Sequence, residues 1–257
     1  MTEKPREISV FFSFLPKKPN KCSGSCDFFT EKRKLFCKKP LTNTILCVII
    51  HTSNEERGKY PMKDIKLFER ELDLIVNEDL RMLTKAYLEE RVADYFWQVG
   101  ASSSGKYHPT FSQNVGGLVR HTKAVVMFAE ELLRMNTYAY LNEEYKDYII
   151  VACLVHDTCK YGVLEYDKTN YANHAKLASI NFKNFCLEEN YVCSEFLLNA
   201  ISSHMGQWTE NREERPFTAI DRCVHLADYM ASRSFIDIPC ITEEYDRIVG
   251  VEDNYEL

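Results

Sequence analysis

The chain has 257 residues, 45% of them hydrophobic, and a formal net charge of −6 at pH 7. That is ample apolar material for a buried core, while the acidic balance, with no long Lys/Arg block to offset it, weighs against a sequence-independent coat on nucleic-acid phosphates. No apolar run approaches the roughly 20 residues of a spanning helix, since "ISVFFSFL" stops at Pro16 and "TILCVII" stops at His51, so no membrane span is expected.

Residues 1–61 read as an irregular, poorly ordered leader. They hold "PKKPNKCSGSC" and "EKRKLFCKKP", basic and Pro-punctuated without a sustained period, and end in the breaker "TSNEERGKYP". Basic residues follow the first apolar run and no A-x-A-like site does, which argues against a secretory signal. Cys22, Cys26, Cys37 and Cys47 lack the paired C-x2-C knuckles of a zinc site. Translation from Met62, where the amphipathic pattern begins, is the alternative account of this stretch. The ten cysteines of the chain are irregularly spaced and several fall within helical apolar patterns, which fits a reducing, cytoplasmic setting better than a disulfide framework.

From Met62 to the C-terminus the period is helical and strand-like alternation is scarce, so residues 62–257 are expected to form one all-α domain. Ile65, Phe68, Leu72 and Ile75 begin the pattern, and Leu80, Leu83 and Tyr87 continue it after Asn77–Glu78. "GASSSGKYHPTFS" (100–112) is a polar loop. Val115, Leu118, Thr122, Val125, Ala129 and Leu132 trace the next stripe, followed by "YKDYIIVACLVHD", "NHAKLASINFKNFCLEEN", "CSEFLLNAISSHM" and "TAIDRCVHLADYMASRS", each of helix length.

Six of the seven histidines lie between His108 and His225. One His on an apolar face is ordinarily a satisfied core residue. Here four separate helices each place an imidazole or carboxylate where packing would prefer a hydrophobe: His121, the adjacent pair His156 and Asp157, His204, and Asp228. Buried charge is costly unless it is paired or bound to a metal, and convergent His and Asp side chains in a helical bundle are an ordinary way to hold a divalent transition metal. Neighbouring side chains on a helix diverge by about 100°, so His156 and Asp157 can serve one ion from two directions, or the carboxylate can bridge two.

His121, the His156–Asp157 doublet and Asp228 in "VHLADYMASR" match, in order and context, the H…HD…D signature of the HD superfamily of metal-dependent phosphohydrolases. "KYHPTFSQNVGGLVRHT" also resembles the segment before the first ligand in the branch that contains 3′-to-5′ exoribonucleases. The resemblance spans roughly residues 106–234. It implies an all-α HD bundle that hydrolyses a phosphate ester or anhydride, with His121, His156, Asp157 and Asp228 holding a divalent transition metal (Mn, Fe, Co, Ni or Zn). His174 and His204 match positions that hold a second ion in binuclear members, so one or two ions are implied. Two departures stand out: Ser203–His204 where many binuclear relatives have tandem histidines, and "TC" where a small, Gly-containing turn usually follows the doublet.

Within that resemblance Asp157 orients the nucleophile as well as binding metal, and Lys160, at the lysine of the H-D-x-x-K pattern, suits a phosphate contact. Lys106, His108, Arg120 and Arg233 are candidates for approaching substrate. His225 suits a supporting role beside the ligands. Trp208 and Tyr161 are the aromatics placed to stack a base, against the commoner fate of core or rim packing. No OB-like module is recognisable and the charge is acidic, so a small phosphorylated substrate, most simply a nucleotide, is favoured over an extended nucleic acid. The alternatives are an exonuclease-like nucleic-acid hydrolase and a non-catalytic HD-type sensor or scaffold; the filled ligand set favours an enzyme.

Overall fold

A computed structural model describes residues 63–102, 108–209 and 211–250. The leader with its cysteines, and Lys106, lie outside the described residues. Among those described there are no strands. Nine α-helices follow in order: α1 (Glu69–Leu72), α2 (Glu78–Ala86), α3 (Tyr95–Gln98), α4 (Gly117–Arg134), α5 (Glu143–Val155), α6 (His174–Glu188), α7 (Glu195–Ser203), α8 (Ala219–Ala231) and α9 (Pro239–Val249). None of them is long and apolar enough to cross a membrane.

Helix α5 is the axis of the bundle. It starts where Asn142 accepts a hydrogen bond from the Tyr145 amide at 2.9 Å, and from Ile149 to Val155 every residue is buried. A helix apolar on all sides is one enclosed by others, and α4, α7 and α8 pack around it. Ala152 and Cys153 keep its waist narrow, and its last turn delivers His156 and Asp157 into the interior. Asp147, also buried, accepts from the amides of Val76 and Asn77 at 2.8 Å each. This fixes the start of α2, where Asn77 in turn accepts from the Leu80 amide.

The segment with Ile65, Phe68, Leu72 and Ile75 differs from the expected continuous helix. It is a 3-10 turn over Ile65–Phe68 followed by the single turn of α1. The apolar spacing serves either geometry, and Phe68, Leu72 and Ile75 are buried as expected. Val115 falls outside the α4 stripe and is partly exposed, because α4 begins only at Gly117. Gly116 there has φ +69°, and a Cβ on it would lie 1.9 Å from the Tyr245 hydroxyl; one on Gly117 would lie 2.2 Å from the Ser112 carbonyl. The glycine pair lets the 108–112 loop and α9 close down on the start of the helix that carries His121. Helix α8 opens with a capping box in which Thr218 and Asp221 bond each other's backbone.

Lys123 is almost fully buried on α4. Its ammonium meets Glu71 Oε1 and Oε2 at 3.0 and 2.8 Å and the Leu67 carbonyl at 2.7 Å, with Glu244 of α9 at 3.4 Å. The pair joins the N-terminal segment to the long helix. Removing one partner of a buried pair leaves the other charge without compensation, at a cost of about 3–5 kcal/mol. Lys123→Met is therefore expected to lower unfolding free energy by about 3 kcal/mol in urea denaturation, and Lys123→Met with Glu71→Leu to recover much of that loss; equal stability of the single variant and wild type would contradict the account.

Candidate metal centre

Three histidines sit at helix ends, and each uses Nδ1 in the same way. The last carbonyls of a helix have no partner within it. His156, just past α5, puts Nδ1 2.7 Å from the Cys153 carbonyl. His204, just past α7, does the same with Ile201 at 2.8 Å, and His174, opening α6, with Tyr171 at 2.6 Å. A ring bonded to a carbonyl through Nδ1–H carries its lone pair on Nε2, the arrangement of a metal-binding imidazole.

Those Nε2 atoms converge on two groups. In the first, His121 Nε2 lies 3.4 Å from His156 Nε2 and 3.1 Å from Asp228 Oδ1, with Asp157 Oδ2 at 3.6 and 3.5 Å from the two rings. In the second, His174 Nε2 and His204 Nε2 are 3.0 Å apart, and Asp157 Oδ1 is 3.0 Å from the former and 3.7 Å from the latter. Asp157, 2% exposed, thus turns one oxygen to each group. Its Oδ1 makes no hydrogen bond despite that closeness, as expected if the His174 proton is on Nδ1. Lone pairs facing one another in a buried site repel unless a cation lies between them. Two sets of three donors, His121/His156/Asp228 and Asp157/His174/His204, each have ligand atoms within 4.8 Å of one another. Neutral imidazole with carboxylate suits a divalent transition metal, so the residues fit the cofactor.

Burial governs the protonation of the rings. It lowers His204 to about 3, with His156 and His174 adding to the effect, and lowers His121 against the opposing pull of Asp228. His156 is the exception: burial works against its charged form, but Asp157 and Asp228 outweigh it and its pKa rises. Burial would also raise Asp157, yet Lys160 and His156 hold it well below the carboxylate range. Asp228 is likewise depressed, burial being outweighed by the His121 hydrogen bond and the neighbouring imidazoles.

A cavity of about 490 Å³ opens beside the carboxylates of Asp157 and Asp228. Lys160, pairing with Asp157 Oδ2, lines it, and so do His108 and Arg233. The His108 ring is 5.6 Å from that of His121, its buried Nδ1 lacks a partner, and burial pushes its pKa down to about 3. Arg233 is held 4.2 Å over the Tyr229 ring and donates from Nε to the Tyr229 carbonyl at 3.1 Å. Arg120, expected to approach substrate, is not among the residues that line this cavity. Its guanidinium donates to the carbonyls of Phe111 and Gln113 and lies 4.7 Å over the Tyr245 ring, because the residue beside His121 is rotated about 100° around the helix. Tyr161 is likewise core, packed between Tyr95 and Tyr166 at 6.0 and 4.7 Å, whereas Trp208 is at the cavity.

Tyr171, Met205, Tyr229 and Ser232 also line the cavity and were not singled out in the sequence. The signal for Tyr171 was its position three residues before His174, where its carbonyl fixes the ring. His225 takes the supporting place expected, donating from Nδ1 to the His204 carbonyl at 2.7 Å. The unusual "TC" turn is accommodated by specific partners: Thr158 Oγ1 bonds the Val155 carbonyl at 2.8 Å and lies 3.0 Å from the Tyr87 hydroxyl, while Cys159 is buried 3.6 Å from Asn181 Nδ2. Ser203, in place of a tandem histidine, is buried with no partner for its hydroxyl.

The structure is thus a helical bundle with two His/carboxylate groups, around a shared aspartate, that could each hold a metal ion. Residues 118–233 match the family model described as the HD domain, in agreement with the resemblance to the HD superfamily read from the sequence. No curated protein matches the chain, and no solved structure does.

The proton balance sets a pH dependence. His108, His121 and His204 have folded-state pKa values below the ordinary 6.5, so the unfolded chain binds more protons and stability falls as pH drops below about 6.5. Raised His156 acts in the opposite sense only above about 6.5, its contribution being complete below that pH, and the depressed aspartates add their loss below their ordinary 3.8. With three lowered rings against one raised, chelator-treated protein is expected to show a lower urea midpoint at pH 5 than at pH 7; an unchanged or higher midpoint at pH 5 would refute this balance.

Proposed function

We propose that the protein is a metal-dependent phosphohydrolase that binds two divalent transition ions, one in each donor set with Asp157 shared, and cleaves a phosphate ester or anhydride of a nucleotide. The observation that carries this reading is the pair of inward-facing imidazole groups on the two oxygens of one buried aspartate. Ions held there would supply Lewis acidity, lowering the pKa of water toward neutrality and offsetting charge on the phosphoryl oxygens.

The chain's own groups do the rest. Asp157, kept ionised by Lys160 and His156, holds both donor sets in register. Lys160 stands between that carboxylate and the cavity, so its ammonium meets an entering phosphoryl oxygen without leaving its buried seat. Arg233, braced on Tyr229, offers a second cation on the cavity lining. The neutral imidazole of His108 contributes a hydrogen-bonding edge beside His121. The cavity lies within the size range of sites for small ligands, which supports a nucleotide over a longer strand. Cys153, Cys159, Cys186 and Cys223, all free and buried, support the cytoplasmic reading.

Metal analysis of the purified chain with a phosphate-release screen over nucleotides is the test. Wild type is expected to hold two ions and turn over; Asp157→Ala to lose both metal and turnover; His204→Ala to retain a single ion. Lys160→Met is expected to keep its metal and lose about a hundredfold in turnover, the scale for removing one charge-stabilising group. Full turnover by Asp157→Ala, or wild-type protein without bound metal, would refute the reading.

A further inference from the structure

Trp208 is one of only two tryptophans in the chain. The other, Trp97, is fully buried, whereas Trp208 is 60% exposed and lines the cavity that contains Asp157 and Lys160. A large apolar ring left in water at the rim of a cavity forgoes burial that most tryptophans achieve. Its placement is nevertheless tightly built. The short turn Gly206–Trp208 follows His204 directly, and the Trp208 amide bonds the Met205 carbonyl at 3.1 Å. The His204 carbonyl is held by His225. Gly206 has φ +57°, and a Cβ on it would lie 2.1 Å from the His225 ring, so only glycine lets the turn close against that imidazole. The fold thus fixes an exposed indole a few residues beyond a metal donor. Lys160 and Arg233 bring positive charge to the lining of the same cavity. One apolar aromatic surface and a cationic region in one cavity match a ligand with a flat ring at one end and phosphate at the other.

We propose that the indole of Trp208 is the platform on which the base of a nucleoside phosphate stacks while its phosphate is directed to Asp157 and Lys160. This rests on the phosphohydrolase reading for the direction of the phosphate, and it assigns selectivity for nucleoside phosphates over sugar phosphates and inorganic phosphate to one residue. Of the other aromatics, Tyr161 is enclosed in the core, Tyr229 at the cavity carries Arg233 over its ring, and Tyr171 lies against Tyr161 and His174, which leaves the indole of Trp208 as the open ring.

The two tryptophans make the test direct. The manganese-loaded full chain is mixed in a stopped-flow fluorimeter with adenosine, guanosine, cytidine or uridine 5′-monophosphate, and in parallel with ribose 5-phosphate and orthophosphate, so that binding is read before turnover. Nucleotides are expected to quench tryptophan emission, with buried Trp97 as the silent background, while ribose 5-phosphate and orthophosphate leave it unchanged. Trp208→Leu is expected to lose the quench and to weaken nucleotide binding about tenfold by calorimetry, within the range for base–aromatic stacking, with ribose 5-phosphate binding unaltered. Trp208→Phe, which retains a ring, should recover most of that affinity. Equal nucleotide affinity in wild type and Trp208→Leu, or failure of any nucleotide to bind, overturns the platform. Nucleotide turnover that is indifferent to Trp208 would sink the platform and leave the hydrolase; quench and binding without any phosphate release would sink the hydrolase and leave the platform.

Discussion

The carboxylate of Asp157 is the constraint around which the site is arranged. It is buried, ionised and divided between two groups of imidazoles, with a lysine on the oxygen that faces His121 and His156. Each group that approaches it comes from a different helix or helix end. His121 comes from the second turn of α4, His156 from the end of α5, His174 from the start of α6 and His204 from the end of α7. The end positions are chemically useful. A free terminal carbonyl orients the ring and sets its tautomer at no cost to the helix, leaving Nε2 for the interior.

Such a concentration of polar groups would be destabilising in a small core. It is tolerated because the surrounding helices bury a continuous apolar shell, from Leu118 and Val125 on α4 through Ile149 to Val155 on α5 and Val224 and Ala227 on α8. Helix α5 shows the division of labour along its own length. Its N-terminal part is polar and ties down a distant amide pair through Asp147, the stretch from Ile149 is wholly apolar, and its last residues lead into the donor pair. A second buried charge pair, Lys123 with Glu71, stabilises the opposite side of α4 and draws the N-terminal segment onto the bundle.

Much of this was legible in the sequence because periodicity and chemistry conflicted at a few places. His121, His156, Asp157 and Asp228 interrupt apolar faces, and an interruption repeated on several helices implies a common centre. The all-α class followed from stripes such as Leu118, Thr122, Val125 and Ala129, which do lie in the core. The place of Arg120 is not legible because adjacency in sequence is not adjacency around a helix: its guanidinium holds the loop carbonyls of Phe111 and Gln113. The burial of Lys123 is not legible in the sequence because a lysine ordinarily marks a solvated face, and only the three-dimensional approach of Glu71 and Glu244 makes it tolerable. Tyr171, Tyr229 and Ser232 carry no pattern of their own. They reach the cavity through where helix ends meet, and single-sequence periodicity does not encode that.

The stretch from His204 to Trp208 joins inner coordination and outer rim within five residues, closed by a glycine against His225. Neither end of so short a lever can be retuned alone. On the proposed reading, a substitution that shifts the rim to admit a bulkier cargo would also drag an imidazole out of alignment, so ion retention and cargo choice would be inherited together, and diversification of this pocket would be steered toward its other walls.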